Sequence, residues 1–168
     1  MANFAHRLRV SDNITSDMIL SPGYAATALS GKELSRHLFE AVEEGFCKKV
    51  KQGDYLVAGM NFGSGSTLEN SAAALKGSGI QAVIAKSFAR MFYRNALNVG
   101  LTLVECETNY IDDMDELSLD LEKNLLMNRS KGVQVEIKPS PKIVRRLLSG
   151  GGLVQYFREH RGFAELFQ

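Results

Sequence analysis

Short apolar runs alternate with amphipathic stretches through the middle of the chain. Three runs predict buried strands: Tyr55–Ala58, Ile80–Ala85 and Leu101–Glu105. Between them lie two stretches with helical spacing, the first running to about Lys76 and the second over 88–99, and Gly77 and Gly100 are placed to end these helices. This strand–helix–strand–helix–strand order favours parallel strands joined by right-handed crossovers.

The flanking segments predict further elements. A strand is expected over Phe4–Val10. Ser30 and Glu33 form a capping box ahead of an apolar stripe (Leu34, Leu38, Ala41, Val42), which predicts a helix ending near Gly45. Ser87 is expected to cap the second of the middle helices. The last third predicts strands over Leu117–Met127 and Val133–Lys138 around the turn 128–132, a helix from Ser140-Pro141 and a short helix over Leu153–His160.

The composition suits one soluble α/β domain over residues 1–168, since 45% of the residues are hydrophobic and 23% are charged. A net charge of +1 gives no support for a nucleic-acid or membrane partner. No run approaches the length of a membrane span, and the first residues lack the apolar core of a signal peptide. The expected compartment is therefore the cytoplasm.

The cysteines and histidines do not suggest a metal site. Cys47 and Cys106 lie far apart, no Cys-x-x-Cys is present, and the three histidines show no ligand spacing. We expect this chain to bind no zinc ion or iron–sulfur cluster by itself.

A glycine-rich turn, Gly59-Met-Asn-Phe-Gly-Ser-Gly-Ser-Thr-Leu-Glu69, follows the first apolar run and leads into a predicted helix. Such a turn presents backbone N–H groups and a helix N-terminus to a carboxylate or phosphate. Three interpretations are open. The turn is half of a dinucleotide fingerprint, with Leu68 where the third glycine belongs. It is a structural start of a helix, with Ser66 and Glu69 as a capping box. Or it is a substrate site in which the Ser66 hydroxyl acts as a base.

The turn resembles the G-x-N-F-G-x-G-S-S-R-E segment of the swivelling domain of the aconitase superfamily. The resemblance continues through Gly79–Gly100 and begins earlier, at Asp12-Asn-Ile-Thr-Ser-Asp17, which is similar to the D-x-I-x-T-D start of these domains. It is strong over about residues 10–105. The chain length of 168 residues is similar to that of the free-standing small subunits of the superfamily's 3-isopropylmalate dehydratase and homoaconitase-like branch.

The resemblance implies a three-layer β/β/α swivelling fold and a heteromeric hydro-lyase. A separate large subunit would carry a 4Fe–4S cluster, whose open iron position binds the hydroxyl and carboxylate of a malate-type acid. The proton-abstracting serine of the motif falls on Ser66. The other candidate substrate-binding residues are Gly65, Thr67, Leu68, Asn61 and Tyr24.

Two positions depart from the family pattern. Leu68 stands where the motif has an arginine that binds a substrate carboxylate, and an apolar side chain cannot replace that bidentate donor. The loop P-G-R-Y of the family appears as Pro22-Gly23-Tyr24, without its arginine. Three outcomes are open for the position of Leu68. The substrate places an apolar group there, or another cation supplies the charge, from this chain (Lys86, Arg90 or Arg94) or from the large subunit, or activity on the usual substrate is poor.

Two hypotheses about function follow. The first is a small subunit of a hydro-lyase acting on 3-isopropylmalate, or on a related acid such as 2,3-dimethylmalate, citrate, aconitate or homoaconitate. The second is a non-catalytic, regulatory partner that keeps the fold and has lost the motif arginine.

Overall fold

The computed structural model describes residues 2–27, 29–65 and 68–162 of the chain. Within these residues the strands form one sheet in the order β4-β3-β2-β1-β5-β6-β7. The strands are β1 Asn3–Arg7, β2 Tyr55–Val57, β3 Ala82–Ala85, β4 Thr102–Glu105, β5 Glu116–Asp120, β6 Leu125–Asn128 and β7 Val133–Glu136. Strands β1 to β4 are parallel, as the strand–helix alternation predicts, and β5 to β7 are antiparallel.

The parallel strands are buried on both faces. Leu56, which pairs with Val83, belongs to the core beneath the helices, whereas Tyr55 and Ile84 belong to a second core. That second core also contains Leu117, Leu126 and Val135 of the antiparallel strands. The antiparallel half of the sheet therefore covers the face of the parallel half that lies opposite the helices, and the predicted β/β/α layering is confirmed in the described part of the chain.

Short helices connect and cover the strands. They are α1 Ser16–Ile19, α2 Pro22–Ala25, α3 Gly31–Leu34, α4 Phe46–Lys49, α5 Asn70–Gly77, α6 Arg90–Val99, α7 Lys142–Ser149 and α8 Leu153–His160, with a 3-10 turn at Ser35–His37. Helices α3 and α5 approach each other so closely that a Cβ on Gly31 or on Gly77 would overlap the backbone of the other helix. The predicted Ser30–Glu33 capping box and the β6–β7 hairpin are both present.

The single helix predicted from Ser30 to Gly45 is wrong. The helical turns stop at His37; Leu38 is extended, and Phe39 has a left-handed φ of +58°. Both side chains are fully buried, and the Phe39 N–H donates to the Ile19 carbonyl at 2.9 Å. These apolar residues thus contact several parts of the core. Their helix-like spacing in the sequence does not correspond to one continuous helix.

The single strand predicted over Leu117–Met127 is also wrong, since it folds into β5 and β6 with a tight turn between them. The Asp120 carboxylate accepts hydrogen bonds from the N–H groups of Glu122 and Lys123 at 3.1 and 3.0 Å. Asn124 then adopts a left-handed φ of +54°. An aspartate that binds the backbone two and three residues ahead is a known means of starting a turn.

A buried polar pair joins β1 to the residue before β2. His6 Nε2 lies 2.7 Å from Asp54 Oδ2, and both side chains are almost completely buried. The Asp54 carboxylate also accepts from the N–H groups of Phe4 and Lys51, each at 2.9 Å. Burial acts to raise the pKa of Asp54, but these hydrogen bonds outweigh it and hold the pKa below its ordinary value.

We predict that Asp54→Asn lowers the free energy of unfolding by about 1–3 kcal/mol at neutral pH, because a buried acceptor network loses its charge. The extra free energy of unfolding of the native protein over the Asp54→Asn variant is fully present above the unfolded-state pKa of an aspartate, about 3.9. It is lost as the pH falls through the lower folded-state pKa of Asp54. Urea unfolding from pH 3 to 7 measures both effects. The same carboxylate-to-amide change at exposed Glu44 is the control. An equal loss in both variants, or a difference that does not depend on pH, contradicts this account.

Candidate active site

The glycine-rich turn lies at the carboxyl end of β2, and the segment that follows β1 binds one side of it. Gly59 N–H donates to the Ser11 carbonyl at 2.6 Å, and Gly63 N–H donates to the Ile14 carbonyl at 2.7 Å. Ser16 N–H donates in the opposite direction to the Ser64 carbonyl, also at 2.7 Å. The segment carrying the Asp12–Asp17 motif is therefore fixed to the turn through the backbone of both segments.

The segment that follows β3 binds the other side of the turn. Phe62 N–H donates to the Ser87 carbonyl at 3.0 Å, and the Ala89 N–H donates to the Phe62 carbonyl at 2.9 Å. Ser87 Oγ accepts from the Asn61 N–H at 2.8 Å. Ser87 was expected to cap α6, but that helix has Ala89 as its N-cap residue. The serine hydroxyl instead holds the glycine-rich turn.

Two glycines of the turn adopt conformations that other residues avoid. Gly63 has a φ of +81°, and a Cβ there would overlap the Phe92 ring, which packs edge-on against Phe62. Gly65 has a φ of +92° and is exposed, with Thr15 as the nearest contact for a Cβ. Gly63 is thus required by packing, whereas Gly65, a candidate substrate-binding residue, leaves its backbone open to solvent.

Asn61 lies at the exposed rim of the turn with a left-handed φ of +56°. Its side-chain amide donates to Asn13 Oδ1 at 3.0 Å. The contact found for this candidate substrate-binding residue is therefore one that ties the turn to the preceding segment.

Ser66 and Thr67, the candidate base and its neighbour, lie outside the described residues. Leu68, which follows them, is 47% exposed. Helix α5 begins at Asn70 with Glu69 as its N-cap residue. The described part of the helix thus starts four residues after Ser66 in the sequence, and the hydrogen bonds of the Ser66–Glu69 capping box lie outside the described residues. The Glu69 carboxylate accepts from the Asn98 amide at 3.1 Å.

Tyr24 lies in α2 and is packed against His37. The two rings are stacked, with centroids 3.7 Å apart and an angle of 14° between their planes. His37 Nδ1 lies 2.8 Å from Glu40 Oε1. The His37 ring therefore supports a candidate substrate-binding residue.

Asn70 joins the Tyr24 loop to the start of α5. Its Nδ2 donates to the Ala25 carbonyl at 2.7 Å and to the Thr27 carbonyl at 3.2 Å. Sequence reasoning missed this residue, as it missed the roles of Ser87 and His37. No spacing rule connects Asn70 with carbonyl groups that lie 45 and 43 residues earlier in the chain.

The cations considered as replacements for the motif arginine differ in their surroundings. Lys86 Nζ lies 3.0 Å from Glu107 Oε1. Arg90 is the first residue of α6, directly after the Ala89 N–H that binds the turn, and Arg94 lies one helical turn further on. Both arginines are exposed. Lys86 is the one of the three that binds the turn directly, because its backbone N–H donates to the Gly59 carbonyl at 3.0 Å.

Residues 2–27, 29–65 and 68–162 contain no group of three or more His, Cys, Asp or Glu side chains that could hold a metal ion. Burial raises the pKa of the half-buried Cys106 thiol to about 12, and the neighbouring Glu107 carboxylate acts in the same direction. That thiol stays protonated at neutral pH and is a poor ligand or nucleophile. The same residues include no helix that is long and apolar enough to cross a bilayer.

Comparisons with known proteins agree with this geometry. The aconitase C-terminal domain family matches residues 9–109. Archaeoglobus fulgidus 3-isopropylmalate dehydratase small subunit 2 is 45% identical over 152 residues, covering 90% of this chain and 92% of the relative. Thermotoga maritima 3-isopropylmalate dehydratase small subunit 1 is 41% identical over 159 residues, covering 94% and 96%.

A solved structure agrees as well. The crystal structure of a 3-isopropylmalate dehydratase from Methanocaldococcus jannaschii superposes with a TM-score of 0.89 at 40% identity, covering 95% of this chain and 94% of that one. The fold and the turn define a swivelling domain of the aconitase superfamily. Within that class, the chain belongs to the family of 3-isopropylmalate dehydratase small subunits. The resemblance found in the sequence is confirmed.

We predict that Gly63→Ala destabilises the protein by more than the left-handed backbone alone explains. Gly132 also has a positive φ, but a Cβ there meets nothing within 4 Å. Gly132→Ala should cost about 1–2 kcal/mol from backbone strain, and Gly63→Ala should cost about 1–3 kcal/mol more because of the overlap with Phe92. Chemical denaturation of both variants measures the difference. Equal losses would show that the ring does not require glycine at position 63.

Proposed function

We propose that this chain is the small subunit of a heteromeric hydro-lyase that interconverts 2-isopropylmalate and 3-isopropylmalate in leucine biosynthesis. The observation that carries the proposal is the Gly59–Gly65 turn, which is fixed on both sides at the carboxyl edge of the parallel strands and leads directly into the Ser66-Thr67-Leu68 segment. Membership of the small-subunit family supports the reaction class.

The partner is proposed to be a large subunit that carries the 4Fe–4S cluster. The described part of this chain offers no ligand set for a cluster, so the iron and its ligands would belong to the other polypeptide. This chain would then supply the groups that surround the part of the substrate that is not bound to the iron. The thiols of Cys47 and Cys106 are free, which suits a reducing compartment, and we propose the cytoplasm.

The proposed role of the turn is to deliver a base and backbone donors to one face of the acid. Ser66 is the proposed base, which takes the proton from the carbon next to the one that bears the hydroxyl group. Thr67 and the exposed backbone at Gly65 are proposed to bind the substrate. In the sequence, Ser66 follows a turn that is fixed on both sides and precedes α5. Positioning of a base is a large part of catalysis.

Leu68 supports an acid with an apolar substituent over a tricarboxylate. Its half-exposed side chain precedes α5, whose first residue binds the Tyr24 loop. A carboxylate at this position would lose a charge-assisted hydrogen bond, worth about 1.5–3 kcal/mol. An isopropyl group needs no such partner, so 3-isopropylmalate and the smaller 2,3-dimethylmalate fit better than citrate, aconitate or homoaconitate.

We predict that Ser66→Ala, mixed with a large subunit, loses about 10²–10⁴-fold in kcat, because the general base is removed. Ser64→Ala is the matched control, since the cross-segment hydrogen bond of Ser64 is made by its backbone carbonyl. The ultraviolet absorbance of the unsaturated acid measures dehydration, and gel filtration shows whether each variant still binds the large subunit. Full activity of the Ser66→Ala mixture would remove this serine from the mechanism.

We predict that Leu68→Arg lowers kcat/KM for 3-isopropylmalate by about 10–200-fold, the range for losing a small apolar contact. Leu68→Met keeps an apolar side chain and should stay near the native value. Steady-state kinetics of the three mixtures tests this. If the native mixture is inactive and Leu68→Arg creates activity, the chain is instead a non-catalytic partner, the hypothesis that the absent arginine favours.

A further inference from the structure

Arg7, the last residue of β1, has a half-buried side chain at the carboxyl edge of the parallel strands. Its Nη1 group donates to the carbonyls of Thr108 and Ile111, at 2.7 and 2.5 Å. These two bonds use both hydrogens of Nη1 and fix the guanidinium group. The Nε–H and the Nη2 group donate to no atom in the described part of the chain.

The unused donors of Arg7 have the geometry that recognises a carboxylate. Nε–H and one N–H of Nη2 lie parallel on one edge of the guanidinium plane, and this edge matches two carboxylate oxygens. Within residues 2–27, 29–65 and 68–162, no ion pair includes Arg7. A cation that has lost part of its hydration and has no acidic partner gains more from a bound anion than an exposed cation does.

Arg7 is linked to the start of the glycine-rich turn. It pairs with Val57 in the parallel sheet. Thr108, whose carbonyl accepts from Arg7, is fully buried and donates its hydroxyl to the Ala58 carbonyl at 2.9 Å. Ala58 directly precedes Gly59, where the turn begins. Two hydrogen bonds through Thr108 therefore connect the guanidinium group with the residue before the turn.

The other cations considered for this edge lack one or both of these properties. Lys86 already has an acidic partner, Glu107. Arg90 and Arg94 are exposed, and no hydrogen bond to a described residue fixes their guanidinium groups. Arg7 combines a fixed position with an open pair of donors. The sequence gives no sign of this, because an arginine at the end of a strand is usually a solvated surface residue.

We infer that the Nε and Nη2 edge of Arg7 binds a carboxylate group of the malate-type acid. Such an acid has a second carboxylate besides the one that an iron would bind, and Leu68 offers it no charge. The identity of the acid rests on the proposed function, whereas the carboxylate site is a property of this chain. A carboxylate side chain of the large subunit has the same chemistry, so the experiments separate these two sources.

The first experiment titrates the isolated chain with succinate and follows the Nε–H resonance of Arg7 by NMR. This resonance is the one that is absent from the Arg7→Lys variant. Succinate should shift it, whereas sodium chloride at the same ionic strength should not, because chloride has no pair of oxygens to match the two donors. The Nε–H of Arg9, an exposed arginine two residues later, is the internal control. No shift at Arg7, or equal shifts at both arginines, would overturn the inference.

Asp113 allows a variant with the opposite effect. Its Oδ1 accepts from the backbone N–H of Arg7 at 2.8 Å, so a negative charge lies close to the proposed site. Asp113→Asn keeps an acceptor there, leaves the contacts of the guanidinium group intact and removes that charge. The Kd for succinate should fall by about 2–5-fold. Glu44→Gln, at another exposed acid, should leave it unchanged. An unchanged or higher Kd in Asp113→Asn would contradict the inference, even if variants of Arg7 fold poorly.

The second experiment identifies the source of the carboxylate in the mixture with a large subunit. Arg7→Met should raise KM for 3-isopropylmalate by about 10–100-fold, the range for losing a charge-assisted hydrogen bond, and the affinity between the subunits should not change. Arg9→Met should stay near the native values. Weaker association of the subunits with an unchanged KM would assign the carboxylate to the large subunit and overturn the substrate assignment. If the native mixture does not dehydrate 3-isopropylmalate, the proposed function fails, and the succinate titration still decides whether Arg7 binds a carboxylate.

Discussion

The site depends on hydrogen bonds that hold one turn from two sides. The Gly59–Gly65 turn exchanges backbone hydrogen bonds with the segment after β1, and backbone and Ser87 side-chain bonds with the segment after β3. Because β1, β2 and β3 are adjacent and parallel, their carboxyl ends bring these segments together. A turn held in this way has little freedom to move, so the chain leaves the turn from a defined position.

The chain contributes shape and polar backbone to the site rather than a cluster of charges. Lys86 is paired with Glu107, and Cys106 is a protonated, half-buried thiol. Under the proposed function, the chemistry of the reaction would be divided between two polypeptides. In this proposal the large subunit holds the metal centre, and this chain supplies Ser66, which follows the Gly59–Gly65 turn in the sequence, and the exposed apolar side chain of Leu68. Such a division would allow a small subunit with ordinary composition and a net charge of +1 to act together with a metal-bearing partner.

Much of the fold could be predicted from the sequence because its central strands are buried on both faces. Short apolar runs locate β2, β3 and β4 within one or two residues, and glycine marks the end of α6 at Gly100. The errors have a common cause. Leu38 and Phe39 have helical spacing but are placed by the core, and Asp120 turns the chain inside what the pattern predicts as one strand.

The location of the glycine-rich turn could be predicted from the sequence, but the contacts that support the turn could not. The glycine pattern locates the turn, and the family motif identifies the candidate residues. The roles of Ser87 and Asn70 arise from contacts with residues 26 and 45 positions away. Both are polar residues near the start of a helix, where the simplest expectation is capping. Only the three-dimensional arrangement shows that they bind other loops.

The most direct test of the central claim is a structure of the chain bound to its large subunit and to an unreactive substrate analogue. The account predicts that the analogue lies against the Gly65–Leu68 segment, with the Ser66 hydroxyl within about 3.2 Å of the position from which a proton would be taken. It also predicts that the Gly59–Gly65 turn keeps its hydrogen bonds on both sides. An analogue bound elsewhere, with this segment facing solvent or packed beneath protein side chains, would contradict the account.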